Sequence, residues 1–139
     1  MLQKKILVPL ELSGKDFKSV HYALALAERI KAQVYILQED DGVAPANPTV
    51  LYMGEALSDL INSARQAGLN VSHHIAHKEL KEEIIELVRT EGIDLLVFGA
   101  EDEGNMRLLK QVKPLVSSLI FQVKEKNRIQ AQKGGGGSK

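Results

Sequence analysis

The stretch that decides the fold is ELKEEIIELVRTEGIDLLVFG, residues 79–99. Its two halves carry different periods. Leu80, Ile84, Leu87 and Val88 recur at three- and four-residue spacing, which predicts an amphipathic helix over 79–92. Gly92 supplies the stop, because glycine adopts the left-handed conformation that closes a helix at little cost. Then comes IDLLVFG (93–99), an unbroken apolar run of the kind buried on both faces of a parallel sheet. A helix feeding a fully buried strand is half of a right-handed crossover unit.

The same alternation extends upstream. KKILVPL (4–10) is a short apolar run and reads as a buried strand, with ELSGKD turning the chain after it. Phe17, Val20, Leu24, Ala27 and Ile30 mark a helix over 16–31, and QVYILQ (33–38) a second strand. Two prolines and a glycine in EDDGVAPANPT (39–49) mark a loop. A helix over 50–68 follows, with Leu57, Leu60, Ile61 and Ala64 on one side and Gly68 as C-cap. NVSHHIAH (70–77) reads as the third strand. Strand and helix alternate, so the class is α/β: one domain, a parallel sheet, helices on both faces. No internal repeat is visible.

Downstream the pattern weakens. NMRLLKQVK (105–113) makes a short helix ended by Pro114, and SSLIFQV (117–123) a fifth strand. Leu109, Val112, Val116, Ile120 and Val123 also fit a helical stripe, so the periodicity leaves both forms open there. The domain is expected to run over 1–124. Residues 125–139 read as a polar tail whose GGGGS has the composition of an added flexible linker, outside the fold.

Composition narrows the functions. Lys plus Arg and Asp plus Glu both count 18, so no general field draws nucleic acid or anionic lipid. The chain has no Cys, which excludes thiol catalysis and thiolate metal sites. Aromatics are 4%, too few for base-stacking platforms. No apolar run reaches membrane-spanning length, and MLQKKILVPL is too short in apolar residues for a signal peptide. The expectation is a cytoplasmic protein with no membrane insertion and no nucleic-acid partner.

Three segments resemble the universal stress protein family. ILVPLELS (6–13) is similar to its first strand and turn, ALALAERIKAQVYIL (23–37) to its first helix and second strand, and ELKEEIIELVRTEGIDLLVFGA (79–100) to its third helix and fourth strand. The resemblance implies a five-stranded parallel sheet in the order 3-2-1-4-5. It also implies a nucleotide site at the carboxyl ends of the first and fourth strands, where ligands of open α/β sheets bind. By the same resemblance the fifth strand pairs two copies, here through Leu119, Phe121 and Val123.

On that pattern the candidate nucleotide-binding residues are Pro9, Leu10, Glu11, Ser13, Gln38, Gly99 and Ala100. They read as a vestige. Glu11 stands where the family has Asp, and Leu12 where it has Gly. Beyond Gly99 the family's ATP binders need Gly after two residues, then Gly and Ser or Thr after nine more. Glycine serves there because phosphate sits against bare backbone N–H groups. This chain has Asp102, and then Val112 and Lys113. Only 17 residues separate Gly99 from Ser117, too few for the family's loop and helix. Each carboxylate of Glu101, Asp102 and Glu103 would repel a phosphate 6 Å away by roughly 2–3 kcal/mol at an effective dielectric near 20. Mg²⁺ would reverse that sign.

Other constellations carry less. His73 and His77 lie on one face of a strand with Cβ atoms about 13 Å apart, too far to share an ion. Solvated or edge-packed histidines are the plain reading. No serine has a nucleophile-elbow context and no phosphate-binding GKT motif is present. A phospho-receiver domain would need an acid pair, an acceptor Asp and a Ser or Thr where this chain has Glu11, His77 and Ala100. The expected function is therefore a non-enzymatic regulatory or binding module that acts by homodimerisation or partner docking. It would use no catalytic residue, metal or cofactor. The alternative is a binder of ATP with Mg²⁺ that hydrolyses slowly or not at all.

Overall fold

The computed structural model describes residues 3–11, 17–40, 48–99, 103–123 and 129–135. Leu12, Ser13, Ala100, Glu101 and Asp102, singled out above, lie outside the described residues. The elements run β1 (Lys5–Leu10), α1 (Lys18–Ile30), β2 (Gln33–Gln38), α2 (Pro48–Gln66), β3 (Val71–Ile75), α3 (Leu80–Glu91), β4 (Leu95–Gly99) and α4 (Glu103–Val112). A 3₁₀ turn (Lys113–Leu115), β5 (Leu119–Val123) and β6 (Ile129–Lys133) follow. The sheet order is β3-β2-β1-β4-β5-β6, parallel throughout except for β5–β6.

Strand alternation divides the core into two layers. Ile6, Val8, Val34, Ile36, Leu95 and Val97 face α1 and α2, packing on Val20, Leu24, Ala27, Leu57 and Ile61. Leu7, Leu37, Leu96, Phe98 and Ile120 face α3 and α4, packing on Leu80, Ile84, Leu108, Leu109 and Val112. Residues 119–123 form a strand, so β-pairing wins over the helical stripe. Leu109 and Val112 still belong to a helix, and Ile120 joins them across the sheet. α3 closes on Gly92 in the left-handed conformation (φ 69°), as its sequence predicts. α1 closes less comfortably, on Lys31 with φ 59° and ψ 45°.

Two expectations need correction. Among the described residues the sheet has six strands rather than five. Residues 129–133, inside the segment read as a polar tail, pair antiparallel with β5 from Leu119↔Lys133 to Val123↔Ile129. The GGGG run begins as part of that packing. Gly134 and Gly135 donate their N–H groups to the carbonyls of Ser118 (3.1 Å) and Lys113 (2.9 Å). A Cβ on Gly134 would collide with the Val116 carbonyl oxygen. The second correction follows from the first. β5 is not the last strand, and the edge expected to pair two copies through Leu119, Phe121 and Val123 is occupied by β6. The physical reason is that backbone edge groups accept any extended partner, and the polarity of IQAQK does not prevent it from being one.

Candidate functional site

β1 lies at the point where the strand order reverses, with β2 on one side and β4 on the other. Its pairing with β2 runs the full length, from Lys5↔Gln33 to Leu10↔Gln38. Its pairing with β4 stops after two rungs, Ile6↔Leu95 and Leu7↔Leu96. Proline explains the difference. The carbonyls of Lys4 and Leu10 accept from Gln33 and Glu39 of the β2 side, so even-numbered residues of β1 address β2. Odd-numbered residues address β4, as the Lys5 carbonyl does in accepting from Asp94. The next rung to β4 would need an N–H from residue 9 to the Val97 carbonyl. Pro9 has none. The two strands are therefore unladdered over their carboxyl-terminal halves, at the switch point where open α/β sheets bind ligands.

The predicted residues take up these places. Pro9 and Leu10, both buried, end β1, and Glu11 follows them, half-buried. Gln38 ends β2 beside Leu10, its register partner. Its side chain is engaged on the other side: the amide oxygen lies 2.8 Å from His73 Nε2. Its backbone carbonyl accepts from the Ala76 N–H at 2.8 Å. Gly99 ends β4, paired with Val123. Pro9, Leu10, Glu11 and Gln38 thus share one end of the sheet, and Gly99 sits at the same end of β4. Ser13 and Ala100 fall outside the described residues. Just three residues, 100–102, separate β4 from α4, and none of them is glycine.

The histidines of β3 hold a second small network that sequence spacing did not disclose. His73 is exposed and bonded to Gln38. Partial burial of its ring lowers its pKa below the ordinary 6.5, with the nearby positive charge of Arg65 and then His74 acting in the same direction. His74 points the other way and stacks on Tyr35 with centroids 5.9 Å apart. Its Nε2 is buried without a hydrogen-bond partner. Tyr35 in turn donates its hydroxyl to Glu91 Oε1 at 3.1 Å; burial and then that contact raise its pKa. The strand period alone puts His73 and His74 on opposite faces, but not what each face holds. Among the described residues no group of three His, Cys, Asp or Glu side chains could hold a metal ion. Among them, too, no helix is long and apolar enough to cross a membrane.

Two concavities lie away from this switch point. One, of 510 Å³, runs along α1 between Lys18, Tyr22, Leu26 and Arg29. The other, of 490 Å³, lies at the opposite end of the sheet, between Lys4, Gln33, Gly92 and Asp94. There the Asp94 carboxylate accepts the Lys5 N–H at 2.9 Å, in place of a strand carbonyl.

Residues 3–112 match the model of the Universal stress protein family. No curated protein sequence matches the chain. Among solved structures, a universal-stress-type protein from Pseudomonas aeruginosa UCBPP-PA14 superposes with a TM-score of 0.68 at 18% identity. That match covers 89% of this chain and 44% of the other, so this chain spans less than half of that relative's length. The universal stress protein from Archaeoglobus fulgidus in complex with dAMP gives 0.61 at 16% identity, covering 88% of this chain and 98% of that one. A universal stress protein in complex with cAMP gives 0.63 at 17%, covering 88% and 97%. At such identities the likeness is one of fold.

Proposed function

The chain belongs to the universal stress protein family, and on that premise we propose that it is a non-enzymatic regulatory module whose nucleotide site is degenerate. It works by pairing with itself or by docking to a protein partner. One observation carries this reading: α4 starts at Glu103, and only residues 100–102 separate it from the end of β4 at Gly99. The intervening Ala100, Glu101 and Asp102 contain no glycine and two acids. A phosphate cradle needs several consecutive bare N–H groups and a neutral or basic surround. So short and acidic a connection offers neither.

The switch point beside Pro9 supports a second reading. It keeps the position of a nucleotide site, and two relatives of the same fold were solved with dAMP and cAMP. On that reading the chain binds ATP, with Mg²⁺ offsetting the acids and with slow or no hydrolysis. Thermal melting separates the two. Ligand at about 100 times Kd adds about 2.7 kcal/mol, which would raise the melting temperature by several degrees. The leading reading expects no shift with millimolar ATP and Mg²⁺, nor with cAMP. A shift that disappears in Glu11→Ala would overturn it in favour of the second.

A further inference from the structure

The two faces of the sheet differ at its β5–β6 end. On the α3 and α4 side that end is closed. Gln122 is only 4% exposed. Its amide nitrogen donates to Met106 Sδ of α4 at 3.3 Å, its amide oxygen accepts from Gln132 Nε2 at 2.8 Å, and Gln132 Oε1 accepts from Lys113 Nζ. On the other side the cover stops at α1. Val123 joins the core layer that α1 covers, and Phe121 meets the flank of α1 through Tyr22, with ring centroids 6.0 Å apart. Strand alternation puts Leu119 on the same face as Phe121 and Val123. The register sets Lys133, Ala131 and Ile129 opposite those three, so they share that face. Leu119 is 42% exposed and Ile129 37%, and Ala131 and Lys133 are exposed as well.

That open strip has the shape of a missing helix. It is two strands wide, about 10 Å, which is the width of one helix. Its second wall is α1. Tyr22, Leu26 and Ile30 follow one another at four-residue spacing along the flank that meets Phe121. Tyr22 and Leu26 are only partly buried, and Ile30 is exposed. Charge around the strip has one sign. Lys18 and Arg29, which with Tyr22 and Leu26 line the 510 Å³ concavity, stand about three turns apart on one side of α1. Lys133 stands across the strip on β6. β5 carries no charge, and β6 no other. Glu28 is turned about 100° from Arg29 around the helix. Arg29 and Lys133 enter no ion pair among the described residues.

We propose that the corner between α1 and the β5–β6 strip is a docking site for an acidic amphipathic helix of a protein partner. The proposal rests on the reading of the chain as a module that docks to a partner, and it names the surface and the partner's chemistry. A helix lying beside α1 sets its apolar stripe into the corner, where it covers Leu26, Leu119, Phe121 and Ile129. Its flanks then face Lys18 and Arg29 on one side and Lys133 on the other, so both flanks carry carboxylates. An apolar strip alone would accept any apolar surface. The cations on both sides of it select, because a basic helix meets the same floor and is repelled.

The test uses the full chain and a synthetic helical peptide of about 20 residues, enough to run the length of α1, with Leu on one face and Glu on both flanks. Amide chemical shifts of the protein are followed as the peptide is added. Binding should saturate at micromolar peptide, move Tyr22, Leu26, Leu119 and Ala131, and leave β3 at the far edge of the sheet unmoved. Arg29→Glu combined with Lys133→Glu, both at exposed positions, should weaken binding by about tenfold or more. A peptide with Lys in place of Glu should bind the wild type about tenfold more weakly, and the double variant better than the wild type. Should the double variant not fold, the two peptides on the wild type decide. No saturation at millimolar peptide, shifts confined to other surfaces, or equal affinity of the wild type for both peptides overturns the proposal. So does sedimentation of the wild type with phosphatidylcholine–phosphatidylserine vesicles that the double variant loses, because the strip then faces an anionic membrane. The nucleotide melting experiment is independent. No ATP shift with no peptide binding defeats this proposal and leaves the degenerate site standing, whereas an ATP shift with peptide binding intact defeats the degenerate site alone.

Discussion

Replacing Pro9 tests why the β1–β4 ladder stops short. Pro9→Val restores an N–H at the position that addresses β4, where the ladder stops after Leu7↔Leu96. One backbone hydrogen bond to the Val97 carbonyl contributes about 0.5–1.5 kcal/mol net. Losing proline frees the unfolded chain and costs about 0.4–1 kcal/mol. Valine keeps the buried carbons of the ring and suits a strand. The terms nearly cancel, so Pro9→Val should change unfolding free energy by less than about 1 kcal/mol. Pro9→Ala makes the same bond but gives up two buried methylenes, about 1.6 kcal/mol, and should be clearly less stable. Urea unfolding measures both variants, and the sharper readout is amide exchange. In Pro9→Val the new amide at position 9 should be protected nearly as well as its neighbours in this central strand. If it exchanges instead like an exposed loop amide, the reasoning is refuted. β1 and β4 would then be held apart by something other than the missing donor.

Further outcomes follow from local geometry. Lys31 is exposed and left-handed, so Lys31→Gly should stabilise by about 0.5–1 kcal/mol, or roughly 2–3 °C in melting temperature. Gly92→Ala should cost about 1 kcal/mol from backbone strain alone, since nothing lies within 4 Å of the added Cβ. Asp94→Ala removes the acceptor of the Lys5 N–H and should cost about 1 kcal/mol in urea unfolding, most of it recovered by Asp94→Asn, which keeps an oxygen. His73 has a depressed pKa in the folded state, so below about pH 6.5 the unfolded chain binds the extra proton and stability falls. His73→Gln should flatten that slope below about pH 6.5 in urea titrations, and an unchanged slope would reject the assignment.

The α/β core was legible in the sequence because each buried element carries its own period. Leu80 and Ile84 of α3, Val20, Leu24 and Ala27 of α1, and Leu57 and Ile61 of α2 are buried as their spacing predicts. Ile30, one turn beyond Ala27, is 46% exposed, because α1 ends there and the sheet no longer lies beneath it. Pro9 was legible as part of a motif, but its consequence was not. That consequence depends on which neighbour an odd-numbered residue of β1 addresses, and strand order is a property of the whole fold. His73 and Gln38 are 35 positions apart, and only the parallel register of β2 and β3 brings them together.

β6 escaped for a different reason. A strand that buries apolar side chains must alternate them, and the alternation is what a reader detects. IQAQK is attached through backbone groups, through Gln132 to the buried amide of Gln122, and through the bare Cα of Gly134 against Val116. None of these leaves a period. The same features make β6 easy to overlook, because it buries no apolar stripe that would have announced it. Gly134, just after β6, permits that close approach because it carries no Cβ.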